Sequence, residues 1–457
     1  MRELTGGVMR YVQGLCLLLV LGVGMWLRLG TAAGTEVDHP IRNDAKEYVA
    51  YAWNWKFQGV YSPDITTLLG TSKAPPVPDA VRPPGYPLLL RTFMPQYLNE
   101  HFAVRMAYVQ AWIAGLTLLL TTLLAMALLG AWPGLALGAL VALSPHQSVY
   151  VPYLLSETTF GAVLMLALAA GVAALRTASR RARYVLGFLS GVLFGMACLV
   201  RPTLNQWIPV LLILLLVPAV RRFWREVAVL ALGFVLMMSP WWVRNEITLH
   251  HMTDSEKMLV TVQQGSYVDL MYQGRPDTYG AAYRFDPKAA QAASSWPDLM
   301  TDLRDKFASQ PAAMVRWYVF GKVESFLSWS SAEGWGDIFT YPVFRTPWLS
   351  APAFIAAASL MRGMHAPLMI LSVLGALMAF LPVTRRQFDE RSADAWRFLA
   401  LMYLFAIGVH VVGLPIARYS VPFQPLGYLF AGFQLVLLYR FYRERQRQEL
   451  SGEAQHA

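Results

Sequence analysis

The chain has 457 residues, of which 56% are hydrophobic and 14% charged, and its mean hydropathy is +0.40. A soluble core of this length cannot bury so much apolar surface, so the composition excludes an ordinary soluble protein. The net charge of +10 is carried mainly by arginine-rich loops. Because no basic and aromatic nucleic-acid module accompanies it, we interpret this charge as a signal of membrane orientation and of contact with anionic lipids.

Apolar runs long enough to cross a bilayer recur along the chain and predict an all-α polytopic membrane protein with about ten transmembrane helices. The first run lacks a convincing small-residue cleavage site, so we predict a retained helix rather than a signal peptide. Cys16 and Cys198 lie inside predicted spans, form no metal-ligand pair and are interpreted as packing residues. The ten predicted spans are 11–29, 104–129, 132–152, 155–175, 184–200, 204–220, 226–243, 365–383, 397–415 and 421–439.

Arginine is concentrated in alternating loops, which the positive-inside rule assigns to the cytoplasm. These loops contain Arg180, Arg221 and Arg386, and the C-terminal tail "RFYRERQRQEL" continues the pattern. Both termini are therefore predicted inside, and the loops that hold Arg82 and Gly280 outside.

Two outer segments, 30–103 and 244–350, are too long to be simple connectors and are expected to carry the function. We divide the chain into an N-terminal transmembrane catalytic module (1–243, including 30–103), a second outer loop with interfacial helices (244–350), C-terminal transmembrane helices (351–439) and a cytoplasmic tail (440–457).

The first outer segment begins with "DHPIRNDAKEYVAYAWNWKFQGVYS", whose apolar residues recur at helical spacing and predict an amphipathic helix on the membrane surface. A proline-rich loop follows and ends in "RPPGYP", which places Arg82 directly before a stiff turn. Such a turn fixes a cation at the membrane boundary. The alternative is that Arg82 only snorkels to lipid headgroups.

Several ionisable residues lie at the outer ends of predicted spans, where basic residues should be few. An arginine at that depth needs an anion or a wet cavity, and its planar fork suits phosphate. The arginines are therefore candidates for binding a lipid-linked phosphate, and the glutamate at the same level is a candidate substrate-binding residue. Ion pairing to the nearby glutamate, or contact with phospholipid, is the alternative for each arginine. The residues are Glu157, Arg201, Arg244 and Arg418.

Six stretches resemble, in order, the superfamily of membrane glycosyltransferases that use polyprenyl-phosphate sugars and have the GT-C fold. Within it, the chain is similar to the bacterial branch (glycosyltransferase family 39) that includes protein O-mannosyltransferase-like and lipid A aminoarabinose transferase-like enzymes. The stretches cover about residues 40–425, and the ordered set is specific for the superfamily but not for the substrate. They are "DAKEYVAYAWNWKFQGVYS", "RPPGYPLLL", "LLSETTF", "GFLSGVLFGMACLVRP", "SPWWVRN" and "ARYSVPFQP".

The resemblance implies that Asp44 is the catalytic base and that Arg82 and Arg201 help to hold the donor phosphate. Tyr86 and Tyr419 lie within the matching stretches and are further candidate substrate-binding residues. One version of the family pattern has two adjacent acidic residues, whereas here Ala45 follows Asp44 and the next acid is Glu47.

Helical spacing places Glu47 on the same face as Asp44, where it can assist catalysis or pair with a cation. Asp44 is alternatively a helix N-cap, since Asp before an amphipathic run is a favoured cap. As a base, Asp44 is expected near the arginines but not bonded to them, because a tight salt bridge makes a carboxylate a poorer proton acceptor. A single base attacking opposite the phosphate predicts inversion at the anomeric carbon.

The second outer segment is aromatic, and Tyr267, Tyr272, Tyr279, Trp329 and Trp335 either stack on a sugar or line the membrane interface. "DLRDKFASQPAAMVRWYVFGKVESFLSW" is typical of amphipathic surface helices.

The histidines His39, His101, His146, His250 and His251 show no zinc-site spacing, so no metal or other cofactor is predicted. The predicted partners are a polyprenyl-phosphate-linked sugar donor, a hydroxyl acceptor of the cell envelope and membrane lipids, with the active site facing outward from the cytoplasmic membrane. Two rival functions remain open: a lipid-linked glycan polymerase or ligase, whose reaction would depend on arginines without an essential Asp, and a secondary transporter, which would need polar residues near the midplane of repeated halves.

Overall fold

The computed structural model describes residues 2–71, 74–253 and 256–456. Most of this part of the chain is helical, which confirms the predicted all-α fold class. Its α-helices are, in chain order, α1 (Arg2–Gly34), α2 (Asn43–Phe57), α3 (Ile65–Leu68), α4 (Gly85–Phe93), α5 (Glu100–Leu129), α6 (Ala131–Leu143), α7 (His146–Val149), α8 (Glu157–Arg176), α9 (Arg180–Val200), α10 (Trp207–Leu214), α11 (Pro218–Arg221), α12 (Trp224–Leu249), α13 (Glu256–Gly265), α14 (Ala289–Ala292), α15 (Trp296–Ser309), α16 (Pro311–Arg316), α17 (Lys322–Phe326), α18 (Pro347–Ser350), α19 (Pro352–Met378), α20 (Pro382–Gln387), α21 (Glu390–Val412), α22 (Ala417–Ser420) and α23 (Gln424–His456).

Two short strands, β1 (Glu36–Val37) and β2 (Val343–Arg345), pair antiparallel and tie the start of the first outer segment to the end of the second. Single 3₁₀ turns and one π-helical stretch complete the helical structure; they are Pro202–Leu204, Val268–Leu270, Pro276–Thr278, Ala282–Arg284, Trp317–Gly321 (π) and Val421–Phe423.

Eight helices within the described ranges are long and apolar enough to cross a membrane, and the two remaining predicted spans coincide with shorter apolar helices. The predicted span 132–152 contains the 13-residue α6, and the predicted span 204–220 contains the 8-residue α10. Proline explains why both are short: Pro145 lies two residues after the end of α6, and Pro202 and Pro218 bracket α10. Proline lacks the N–H that would continue a helix, and it disfavours helical backbone at the preceding residue.

Helices α9 and α12 pack side by side and run in the same direction. A Cβ on Gly191 would collide with the backbone oxygen of Leu230, and one on Gly195 would approach Met237 further along α12. Because contacts advance together along both helices, the chain between them, including α10, must return across the bundle. The short α10 therefore keeps the alternation of sides that the sequence predicts.

The helix predicted in the first outer segment is confirmed as α2, but much of it is buried within the protein. Tyr48, Tyr51 and Ala52 are buried, and α2 packs against α3 and α4. The helices predicted in the second outer segment are confirmed as α15, α16 and α17. Helix α23 is continuous as far as His456, so the predicted tail 440–457 prolongs the last membrane helix over its described residues.

Candidate active site

Asp44 lies in the first turn of α2 and is held by two arginines from distant parts of the chain. Arg82 Nη2 donates to Asp44 Oδ1 at 2.7 Å, and Arg418 Nη2 donates to the other carboxylate oxygen. The N-cap residue of α2 is Arg42, so the alternative that Asp44 caps this helix is wrong. Asp44 is thus placed for ionic contacts rather than for helix capping.

The expectation that Asp44 lies near the arginines without bonding to them is also wrong. Burial alone would raise the pKa of the Asp44 carboxyl, but the charges and hydrogen bonds of Arg418 and Arg82 outweigh burial and hold this pKa well below its usual range. In this structure Asp44 is a stabilised carboxylate and a poor proton acceptor.

Glu157, at the start of α8, forms a second meeting point of arginines. Its Oε1 lies 3.0 Å from Arg201 Nη1 and 2.9 Å from Arg418 Nε. Neither carboxylate oxygen, however, has a hydrogen bond of good geometry within the described part of the chain, and Arg418 Nε also lacks one. We therefore treat these contacts as charge attraction at poor angles. Arg418, on α22, joins Glu157 to Asp44.

Glu47 lies one helical turn after Asp44 and takes part in the same network. Arg82 Nε donates to Glu47 Oε2 at 2.6 Å, and Lys257 Nζ, on α13, lies 3.5 Å from the same oxygen. The side chains become less exposed inward, from 41% at Glu47 through 27% at Asp44 to 1% at Glu157. The network is therefore open at the end nearest Glu47 and closed at Glu157.

We call the seven side chains joined by these ionic contacts the ionic cluster. With all groups ionised, its four cations outnumber its three carboxylates by one, so the cluster retains one positive charge. Such an excess favours an additional anion. The ionic cluster consists of Asp44, Glu47, Arg82, Glu157, Arg201, Lys257 and Arg418.

Aromatic rings pack against two arginines of the ionic cluster. The Arg82 guanidinium lies 5.0 Å from the ring centre of Tyr48, and that of Arg201 lies 4.6 Å from the ring centre of Tyr419. Tyr86 is fully buried behind Tyr48 and donates to Gln110 Oε1 at 3.1 Å. Tyr48 and Tyr419 therefore contact arginines of the cluster directly, whereas Tyr86 packs behind Tyr48.

The turn that carries Arg82 is fixed by side chains of the same outer segment. Tyr61 donates its hydroxyl to the Arg82 carbonyl oxygen at 2.8 Å, and the Asp79 carboxylate accepts from the backbone N–H of Val81 at 2.7 Å and from the hydroxyl of Tyr51. Arg82 is held in place by this turn as well as by its carboxylate partners.

Arg244 is not part of the ionic cluster. It donates to the carbonyl oxygen of Asp79 at 2.8 Å and to Asn245 Oδ1 at 3.0 Å, and it stacks near Trp241. Arg244 thus fastens the end of α12 to the turn before Arg82 and acts on the cluster only through that turn.

Sequence reasoning did not select Lys257 or Tyr48 as site residues. Lys257 comes from an unremarkable polar stretch at the start of α13, and only the fold brings it to Glu47. Tyr48 belongs to the helical pattern of the first outer segment, and its position four residues after Asp44 places it on the same face of α2.

No protein-family model and no curated protein matches this sequence. Solved structures do match. The archaeal oligosaccharyltransferase AglB from Archaeoglobus fulgidus, in complex with an inhibitory peptide and a dolichol-phosphate, has a TM-score of 0.53 at 12% identity over 97% of this chain and 52% of AglB. A structure of the oligosaccharyltransferase from the same organism tethered with an acceptor peptide has a TM-score of 0.53 at 14% identity, over 94% of this chain and 50% of that one. The chain has the GT-C fold.

The fold implied by the sequence resemblance is therefore confirmed. ArnT from Cupriavidus metallidurans, bound to undecaprenyl phosphate, also matches, with 15% identity over 95% of this chain and 78% of ArnT and a TM-score of 0.40. The chain spans about half the length of the archaeal enzymes that it matches.

Proposed function

We propose that this GT-C protein is a glycosyltransferase that moves a sugar from a polyprenyl-phosphate donor to a hydroxyl acceptor on the outer face of the cytoplasmic membrane. The observation that carries the proposal is the ionic cluster, in which Arg82, Arg201 and Arg418 converge from three elements with an excess positive charge. Guanidinium groups bind phosphate through paired hydrogen bonds, and a lipid-linked phosphate lies at the depth of helix ends.

The fold supports the same donor class, because the matching AglB structure holds a dolichol-phosphate, which is a lipid-linked phosphate. The outward orientation is supported by the arginine-rich loops assigned to the cytoplasm. The acceptor is proposed as a class: a hydroxyl group on a lipid, glycan or protein of the cell envelope.

The pairing of Asp44 with two arginines suggests how binding of the donor activates Asp44 as the base. A phosphate bound by Arg82 and Arg418 competes with Asp44 for the same N–H groups. As those ion pairs weaken, the depressed pKa of Asp44 returns toward the ordinary range and the carboxylate becomes a better proton acceptor. The base is then released only when the donor is present.

In the transfer step, the acceptor oxygen forms a bond to the anomeric carbon while the bond from that carbon to the donor phosphate oxygen breaks. The acceptor proton goes to Asp44, and the electron pair of the broken bond goes to the polyprenyl phosphate, which the arginines stabilise. Attack opposite the leaving phosphate inverts the anomeric carbon.

The test is sugar transfer by purified Asp44→Asn protein in lipid nanodiscs, with donor extracted from membranes of a strain that lacks the gene. We expect transfer to fall roughly 100-fold or more, while binding of undecaprenyl phosphate is kept or strengthened because its arginines lose a competitor. Asp38→Asn is the matched control, since Asp38 has nearly the same exposure, 28% against 27%, and pairs with Arg42 outside the cluster.

Near-wild-type transfer by Asp44→Asn would refute the Asp44 mechanism and make Glu47 the next candidate base. The same variant separates the first rival function, because a lipid-linked glycan polymerase or ligase that depends on arginines alone would tolerate the change. The location of the ionic cluster at helix ends disfavours the second rival, a secondary transporter, whose charged site is expected near the midplane.

A further inference from the structure

A cleft opens in the outer segments beside the ionic cluster. It encloses about 10 Å³, room for a single hydroxyl group or water molecule. Leu414, on its wall, lies in the loop between α21 and α22, four residues before Arg418 on α22, so adjacent residues of the chain line the cleft and the cluster. The cleft is lined by Gln264, Leu270, Gly280, Tyr283, Glu333 and Leu414.

Glu333 is the charged side chain of this lining, and its surroundings differ from those of the other acid in its loop. Asp337 accepts hydrogen bonds from Trp329 Nε1 at 2.6 Å and from Arg362 at 2.7 Å. Glu333 is half-buried, yet within the ranges 2–71, 74–253 and 256–456 its carboxyl has no ion pair or hydrogen bond. A carboxyl that is partly withdrawn from water and has no protein partner is available to a ligand.

The charges of the ionic cluster reach Glu333. Burial raises the pKa of the Glu333 carboxyl; Arg418 and Arg284 oppose this shift, and Asp44 reinforces it. Glu333 therefore lies close enough to the proposed base for the two carboxyls to influence one another.

Part of the cleft wall is built from strained backbone. Asp269 and Leu270 have φ of 52° and 58°, in the left-handed region that side-chain-bearing residues seldom adopt. Gly280, with φ of 74°, donates its N–H to the Leu270 carbonyl oxygen at 3.0 Å, and a Cβ there would collide with the oxygen of Ala332, next to Glu333. Strain of this kind is retained where the surrounding structure holds a functional shape.

We propose that this cleft receives one hydroxyl group of the acceptor, that Glu333 binds this hydroxyl, and that the acceptor is uncharged and hydroxyl-rich, such as a sugar headgroup. The proposal rests on the proposed glycosyltransferase function. A carboxyl, the amide of Gln264 and the phenol of Tyr283 together offer the hydrogen bonds that hydroxyl groups need. No lysine or arginine is among the lining residues that the structure describes, although Arg284 donates to the Tyr283 hydroxyl at 3.3 Å from the edge of the cleft. The negative charge of Glu333 itself would repel an anionic headgroup.

The probes are octyl β-D-glucoside below its micelle-forming concentration, as a neutral hydroxyl acceptor, and undecaprenyl phosphate, as a donor-side ligand. The full chain in nanodiscs receives donor extracted from a gene-deletion strain. Mass spectrometry follows sugar transfer to the glucoside and, in a second assay, the inhibition by the glucoside of transfer to deletion-strain membranes. We expect Glu333→Gln to raise the KM or inhibition constant of the glucoside about tenfold, as for a lost charge-assisted hydrogen bond, with kcat changed less. Binding of undecaprenyl phosphate should stay at the wild-type value.

Glu324→Gln is the control, because Glu324 is an exposed carboxyl on α17 away from the cleft. The proposal is overturned if Glu333→Gln leaves the glucoside constants unchanged, if the variant loses undecaprenyl phosphate instead, or if octyl sulfate binds better than the glucoside. It is also overturned if wild-type protein transfers sugar to the deletion-strain membranes but neither uses nor is inhibited by the glucoside. Failure of the wild type to bind undecaprenyl phosphate and to transfer any sugar would instead refute the proposed function.

Discussion

Arg418 and Arg244 both lie near helix ends on the predicted outer side, where basic residues are uncommon, but their guanidinium groups have different partners. Arg418 contacts two carboxylates, those of Asp44 and Glu157, whereas Arg244 donates to the carbonyl oxygen of Asp79 and to the side-chain amide of Asn245. A carboxylate-bound arginine can exchange one anion for another. An arginine bound to carbonyl and amide groups is a tether between segments. The depth and type of a residue identify candidate phosphate ligands. The groups that each arginine contacts then separate an arginine that binds an anion from one that connects two segments.

Lys322 is a second cation of the tethering kind. It is fully buried on α17, and its Nζ donates to the carbonyl oxygens of Val411 at 2.8 Å and Gly413 at 3.0 Å. These carbonyls lie where α21 ends and the loop to α22 begins. Lys322 thus fixes the start of the loop that leads to Arg418.

The largest expected effect comes from replacing the two arginines in parallel. Arg418→Gln should weaken binding of undecaprenyl phosphate by about 100-fold, because it removes a desolvated phosphate ligand, whereas Arg244→Gln should leave binding unchanged. Binding is measured in nanodiscs by ligand-dependent change in tryptophan fluorescence.

Arg418→Gln also leaves the buried Glu157 and the partly buried Asp44 short of a countercharge, which lowers the stability of the fold. The double variant Asp44→Asn with Arg418→Gln removes one of these charges, so it should recover stability without recovering binding. Equal losses of binding for Arg418→Gln and Arg244→Gln would erase the proposed difference between the two arginines.

A smaller effect, on stability, is expected from Lys322. Burial lowers its pKa from 10.5 to about 7. Between these values the unfolded chain binds a proton that the folded chain does not, so folding stability rises with pH across this window, by no more than about 1.4 kcal/mol per pH unit. The midpoint of thermal unfolding in detergent should rise from pH 7 to pH 9 in wild type and stay flatter in Lys322→Met. Lys306→Met is the control, since Lys306 is paired with Asp302; identical pH profiles for wild type and Lys322→Met would contradict the assignment.

The sequence predicted individual site residues better than it predicted their partners. Asp44, Arg82 and Arg418 stood out because charge at a span end is costly. Their pairing joins positions 38 and 374 residues apart, which no local pattern records, and this is why Asp44 was expected free of the arginines. Glu333 escaped notice because an acid in a polar outer loop is ordinary until its lack of a partner is seen.

The helix count shows the same limit. Hydropathy marked the apolar runs around α6 and α10 correctly, yet the length of each helix was decided by single prolines at Pro145, Pro202 and Pro218. These residues were visible in the sequence. A window average hides them, because one proline changes mean hydropathy little but removes a backbone donor.

The smallest expected effect is a charge-conserving change at Arg82, which tests whether its forked geometry matters or only its charge. Arg82 reaches Glu47 through Nε at 2.6 Å and Asp44 through Nη2 at 2.7 Å, with its plane above Tyr48. A lysine ammonium keeps the charge but cannot reproduce two divergent contacts and the stacking at once. We expect Arg82→Lys to insert and fold normally and to weaken binding of undecaprenyl phosphate about tenfold, or about 1.4 kcal/mol. The matched control is Arg91→Lys on α4, because Arg91 also stacks on an aromatic ring, at 4.7 Å from that of Trp55, but has no carboxylate partner among the described residues. Unchanged binding in Arg82→Lys, or the same small loss in both variants, would make Arg82 a structural ion-pair partner of Asp44 and Glu47 and leave Arg418 and Arg201 as the proposed phosphate ligands.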